Sequence, residues 1–132
     1  MMKTIEIHTG SRTEMVNIDH QVQTAIRESG VSEGLGVIWV PHTTAAVTVN
    51  ENADPSVVRD ILETLNRQIP FDAHYQHREG NAAAHIKSSL FGVSLQFIIH
   101  QGKPLFGTWQ SFFFCEFDGP RTRRIVVKII EG

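Results

Sequence analysis

Gly107-Thr108-Trp109-Gln110-Ser111-Phe112-Phe113-Phe114-Cys115-Glu116-Phe117-Asp118-Gly119-Pro120-Arg121 is the stretch whose reading decides the fold. Its centre, Ser111 to Cys115, is aromatic and apolar enough to form a buried strand of about five residues, which holds its polar ends rigidly at the two rims of a sheet. Packing alone does not require an amide, a carboxylate and a guanidinium at those ends, so the strand is read as the wall of a site. A regular strand also turns at least one of Phe112, Phe113 and Phe114 outward, where a second subunit would cover it. The neighbouring strands are Val93 to His100 and Arg124 to Ile130. They join through turns containing Gly102-Lys103-Pro104 and Asp118-Gly119-Pro120.

Towards the N-terminus, Lys3 to Thr9 alternates polar and apolar residues with the period of a half-buried strand, and a short strand covers Glu14 to Ile18. Asp19 is read as the N-cap of a helix to Ser29, whose apolar face is Val22, Ala25 and Ile26 and whose stop is Gly30. Leu35 to Val40 and Ala45 to Val49 are extended, with a turn or bulge from Pro41 to Thr44. Asp54-Pro55 caps and opens a second helix with the stripe Val57, Val58, Ile61, Leu62 and Leu65. Phe71 to Gly80 has no period and reads as a loop. Asn81 caps a short helix through His85 to Leu90, ended by Gly92. Strands, helix, strands, helix, helix, strands is not a regular βαβ alternation. It predicts an α+β fold with a mostly antiparallel, curved or barrel-like sheet and about three helices packed on it.

Composition narrows the function classes. A chain of 132 residues suits a single domain, 1–132, that buries roughly two-thirds of the surface its unfolded form exposes. Twelve basic and 14 acidic residues, mixed along the chain, give a net charge of −2 and no extended positive face for nucleic acid. One cysteine and an N-terminus without an apolar core point to a reducing cytoplasm. No apolar run approaches the ~20 residues of a membrane helix.

The polar residues group into three candidate segments. His42-Thr43-Thr44 and Asn50 to Asp54 bracket one strand, so His42 and Glu51 are candidates for a pocket rim, whereas Asp54 is read first as a cap. His77 and His85 lie eight residues apart across Gly80-Asn81, and with His42 or a carboxylate as third ligand they could hold a divalent metal. Zinc suits neutral imidazoles; magnesium suits phosphate oxygens and carboxylates. The alternative is a His85 that bonds backbone or substrate without metal. His85, Ser88 and Ser89 share one helix face, where hydroxyls and the Lys87 ammonium could meet a phosphate together with a guanidinium fork from Arg121, Arg123 or Arg124. Arg121 could equally bind only Asp118 or a backbone carbonyl, and Arg123 and Arg124 read as solvated charges. Cys115 reads as a buried apolar residue, and Trp109 as either a stacking or a packing residue.

The segments His42-Thr43-Thr44-Ala45-Ala46 with Asn50-Glu51-Asn52-Ala53-Asp54-Pro55, Gly80-Asn81 with Ala84-His85-Ile86-Lys87-Ser88-Ser89-Leu90, and Gly107-Thr108-Trp109-Gln110 with Glu116-Phe117-Asp118-Gly119-Pro120-Arg121 together resemble the YjbQ-like family. Its members are commonly labelled secondary thiamine-phosphate synthase. The likeness runs over nearly the whole chain, in the same order; Phe106 stands where a leucine is common. The resemblance implies a compact α+β homotrimer with the polar motif residues in a cleft near subunit contacts. It also implies a reaction that joins an aminopyrimidine-methyl diphosphate to a thiazole phosphate and releases diphosphate. Placed on that reaction by position alone, Lys87, Ser88 and Arg121 hold phosphates and His42, His77 and His85, or Glu51 and Asp54, hold the metal. Trp109 or Tyr75 stacks on the pyrimidine, and Asn81, Gln110 and Glu116 orient its polar edges; His42, Glu51, His85 and Glu116 form the catalytic set. Two other classes stay open: a metal-dependent hydrolase of a small metabolite, and a non-catalytic metabolite-binding trimer.

Overall fold

The computed structural model describes residues 1–132. Strands β1 (Met2–His8) and β2 (Glu14–Asn17) precede helix α1 (Asp19–Ser29), and β3 (Gly34–Trp39) and β4 (Ala45–Glu51) precede α2 (Pro55–Gln68) and α3 (Ala82–Phe91). The chain closes with β5 (Ser94–His100), β6 (Lys103–Pro104), β7 (Gln110–Glu116) and β8 (Thr122–Glu131). Every strand pairing is antiparallel. Five strands form one sheet in the order β1-β8-β3-β5-β6, and three form another in the order β2-β7-β4. The result is the expected α+β fold, a curled antiparallel half-barrel with three helices.

The alternation of β7 explains how the layers stack. Phe112 and Phe114 face a core shared with Ile18, Val22 and Ile26 of the α1 region and Ile38, Ile125 and Val127 of the larger sheet. Phe113, Cys115 and Phe117 face the other way, into a second cluster with Met15, Ala46 and Ala84. Half-buried Val58, Ile61, Leu62 and Leu65 of α2 complete that cluster. The cover expected from a second subunit over an outward phenylalanine thus comes from α2 and α3 of the same chain. Burial of each such ring contributes roughly 1.5–3 kcal/mol, so β7 is fixed from both faces.

Local signals account for most boundaries. Asp54 caps α2, its Oδ1 accepting the Ser56 N–H at 2.9 Å, with Pro55 at the first helical position. Gly30, at φ 71, ends α1. Asp19 differs from expectation: it is the first helical residue, not the cap, and its carboxylate accepts the Phe112 N–H at 2.7 Å, tying α1 to β7. Asn81 sits at the cap position of α3 without capping it, because its Nδ2 donates to Asp118 Oδ2 at 3.0 Å. β7 begins at Gln110 and not Gly107, since the Gln110 N–H donates to the Gly107 carbonyl at 3.2 Å and its Oε1 accepts the Gly107 N–H at 2.8 Å, closing a turn. Lys103–Pro104, expected in a turn, pairs as a two-residue strand with Ile99 and His100. No helix is long and apolar enough to cross a membrane.

Candidate functional site

The segment after β3 and the end of α3 are pinned together by backbone. The Val40 N–H donates to the Val93 carbonyl at 2.7 Å and the Val47 N–H to the Gly92 carbonyl at 3.1 Å. Between them lies a cleft of about 720 Å³, walled by Trp39, His42 and Thr43 on one side and by His85, Ser88 and Ser89 on the other. The three α3 residues recur at helical spacing, so one face of the helix supplies them. The serine protons are already committed: Ser88 donates to the Ala45 carbonyl at 2.6 Å and Ser89 to the His85 carbonyl at 2.9 Å.

The two imidazoles differ in what they offer. His42 Nε2 accepts the Arg124 N–H at 2.9 Å, so the neutral ring carries its proton on Nδ1 and can donate from there. Burial, then the charges of Arg123 and Arg124, hold its pKa below the ordinary histidine value and favour that neutral form. His85 has no protein hydrogen bond to either ring nitrogen; its ring meets that of His77 edge-on, centroids 5.3 Å apart. No carboxylate lines the cleft.

Glu116, the carboxylate whose charge reaches His42, is enclosed and does not line the cleft. Glu116 and Arg123 are 0 % and 2 % exposed and form a bidentate pair, Arg123 Nε donating to Oε1 at 2.9 Å and Nη2 donating to Oε2. Arg123 also donates to Thr44 Oγ1 at 2.8 Å, while Thr9 Oγ1 and the Asp118 N–H donate to Glu116 at 2.8 and 3.1 Å. Burial alone would raise the Glu116 pKa, but the hydrogen bonds from Arg123, Thr9 and Asp118 outweigh it and hold the carboxyl below its ordinary value. Glu116 in this setting is an ionised anchor for Arg123 and Thr44, next to the His42 loop. Arg121 folds back onto Asp118, Nε to the carbonyl at 2.9 Å and Nη2 to Oδ2 at 3.1 Å, and Asn81 binds the same carboxylate.

The sequence-derived candidates therefore fall in separate places. His42, His85 and Ser88 share the cleft, with His77 at its edge. Asn81, Glu116 and Arg121 belong to the adjoining polar network. Lys87 is buried away from the cleft, its Nζ 2.5 Å from Asn66 Oδ1 and 4.5 Å from the Phe71 ring centroid. Glu51 pairs with Gln110 at the end of β4 opposite Ala45, roughly 20 Å away at ~3.4 Å per strand residue. Trp109 and Gln110 lie at that far rim. Arg123, expected as a solvated charge, and Thr44, expected in a turn, are both buried and bonded to each other; the alternation Arg123, Ile125, Val127, Ile129 puts the arginine on the buried face of β8. His42, His77 and His85 do not form a three-ligand set, and no group of three or more His, Cys, Asp and Glu is placed to hold an ion.

A family model described as UPF0047 protein YjbQ-like matches residues 3–132. The chain belongs to the YjbQ-like family. Among its relatives, UPF0047 protein MJ1081 of Methanocaldococcus jannaschii is 55% identical over 98% of this chain and 94% of its own length. YugU of Bacillus subtilis is 45% identical over 98% and 99%. A YjbQ/UPF0047 protein from Clostridium acetobutylicum superposes with a TM-score of 0.95 at 50% identity, covering 97% of this chain and 99% of that one. A YbjQ-like protein of unknown function from Sulfolobus solfataricus gives 0.94 at 32% identity, covering 100% and 97%. The YjbQ-like fold thus persists while two-thirds of the sequence changes.

Proposed function

We propose that the YjbQ-like cleft binds a small phosphorylated metabolite, and that the chain acts on it as a cytoplasmic transferase of the thiamine-phosphate synthase type. The observation that carries this reading is the donor set: two imidazoles and a threonine hydroxyl at the wall, with no carboxylate facing them. Such a lining favours anionic oxygen over a cation. In that reaction the thiazole nitrogen attacks the pyrimidine methylene carbon, the carbon–oxygen bond to diphosphate breaks, and the leaving group takes the electron pair. His42, donating from Nδ1, and His85, free at both nitrogens, would meet the developing charge on diphosphate. Trp39, 49 % exposed on the wall, would stack on the pyrimidine in the part first given to Trp109 or Tyr75.

Thiamine phosphate formation from the two purified substrates tests this. His85→Ala should lower kcat/KM by about 10²-fold or more, the scale of a lost proton donor. Arg121→Ala should stay close to wild type, because Arg121 already spends its guanidinium on Asp118. Equal rates in wild type and His85→Ala would overturn the site. Saturable binding of the diphosphate substrate without turnover would instead favour a metabolite-binding protein.

The His77–His85 contact favours a second reading, a metal-dependent hydrolase. Those two imidazoles would be the ligands this chain contributes, and zinc is the ion they suit. His42, whose Nε2 is already bonded, would not join them. Zinc co-purifying in proportion to protein, and lost in His77→Ala, would support it.

The assembly proposed is a homotrimer. Its support is an uncovered apolar row on the outer face of the five-stranded sheet, where Leu35 is paired in register with both Ile98 and Ile130. All three are more than half exposed, at 54 %, 53 % and 55 %.

A further inference from the structure

Lys87 is wholly buried, yet its ammonium has three N–H groups and one oxygen acceptor, Asn66 Oδ1. Asn66 is itself fixed, its Nδ2 donating to Thr13 Oγ1 at 3.1 Å. The ammonium also lies 4.5 Å over the Phe71 ring, and that ring carries a second cation: the Arg12 guanidinium carbon lies 3.5 Å from its centroid. Neither cation takes part in any ion pair of the chain. Two like charges on one aromatic ring repel, and a desolvated cation with no counter-charge is costly to a fold. Aromatic faces offset part of this, but not the mutual repulsion.

We infer that Arg12, Phe71 and Lys87 form an oxyanion site, separate from the cleft, that takes a phosphate group. Lys87 lies two positions beyond His85 on α3, about 200° around the helix at 3.6 residues per turn, so the two sites occupy opposite faces of one element. Arg12 is exposed and makes one side-chain hydrogen bond, to the Gly80 carbonyl at 3.3 Å, which leaves most of its planar fork available from solvent. A guanidinium fork backed by a point charge is the donor pairing that suits a tetrahedral dianion. Phe71 belongs to the segment between α2 and α3 and is half-buried, its ring packed against the second core; an anion that reaches the ammonium would have to shift that ring. Burial and the Arg12 charge both depress the Lys87 pKa; a bound dianion opposes both effects.

The test is an NMR titration of the full chain with inorganic phosphate at ionic strength held constant with sodium chloride. The expected result is saturable shifts at the amides of Arg12, Phe71 and Lys87. They should weaken at least tenfold in affinity in Arg12→Gln and Lys87→Met and be unchanged in His85→Ala. Arg12→Gln alters an exposed side chain and keeps the test valid if Lys87→Met fails to fold. Shifts confined to His42, His85 and Ser88 would overturn this inference while leaving the proposed cleft function standing. Unaltered shifts at Phe71 in Arg12→Gln would also overturn it. Loss of cleft shifts alone, with those at Phe71 retained, would count against the cleft function and not against this site.

Discussion

Removing the guanidinium of Arg123 would leave Glu116 ionised, enclosed and missing its main partner. Breaking one half of a buried pair costs about 3–5 kcal/mol, because the surviving charge stays desolvated. Arg123→Ala should therefore lower the urea midpoint by a corresponding amount, with the unfolding slope unchanged. The pair also sets a pH dependence whose sign is fixed. Glu116 titrates lower in the folded chain than its ordinary value of 4.5, so the unfolded chain binds the proton more readily. The stability it contributes is present above the unfolded value and is lost as pH falls from there through the folded one. Glu116→Gln should flatten that acid limb in denaturation curves measured at successive pH values. Much of this was unreadable at residue scale beforehand. Arg123 and Arg124 read as solvated turn or strand-end charges, yet β8 starts at Thr122 and its alternation turns Arg123 inward. Lys87 was misplaced for a related reason: proximity in sequence to Ser88 suggested a shared pocket, whereas helical rotation sends the two side chains different ways.

At the scale of elements, β3 depends on a missing side chain. A Cβ built on Gly36 would run into the Phe97 ring, which lies across it from the neighbouring strand. That ring also packs on Phe112, centroids 5.0 Å apart, so it cannot retreat without opening the first core. Gly36→Ala should destabilise by about 1–3 kcal/mol, the scale of overpacking, and Phe97→Leu in the same chain should recover part of the loss by giving the methyl room. Thermal midpoints of the single and double variants check both statements. Elements with local punctuation were legible: Asp54-Pro55, Gly30 and Gly92 act where they stand in the sequence. Elements set by tertiary contact were not. Asp19 has every property of a cap but is used to hold Phe112, and β6 is two residues long, one of them proline, so it has no periodicity to find. The cleft was half legible for the same reason. Helical spacing grouped His85 with Ser88, but only the long-range bonds from Val40 to Val93 and from Arg124 to His42 bring His42 to them.

For the whole molecule, one face of the larger sheet is left without a layer. The smaller sheet is packed on both sides, by the first core on one and by α2 and α3 on the other. The larger sheet is packed on its inner side alone, and its outer side presents Ile98, Leu35 and Ile130 side by side across β5, β3 and β8. A contiguous row of large aliphatic residues on a central strand, flanked by Gln96 and Lys128, has the anatomy of an interface centre with a polar rim. Trp39, four residues along β3 from Leu35, lies on the same face and also walls the cleft, so a subunit docking there would border the site. Leu35→Glu should then do two things that a purely structural surface residue would not. It should reduce the mass seen by light scattering from the proposed trimer to the monomer, because a desolvated carboxylate at the centre of the row cannot be paired. It should also weaken binding of a phosphorylated ligand at the cleft, although Leu35 does not line it, by removing the neighbour that encloses the Trp39 wall. An unchanged mass would mean that the row is not the contact. A monomer with full ligand affinity would mean that each chain completes its own cleft.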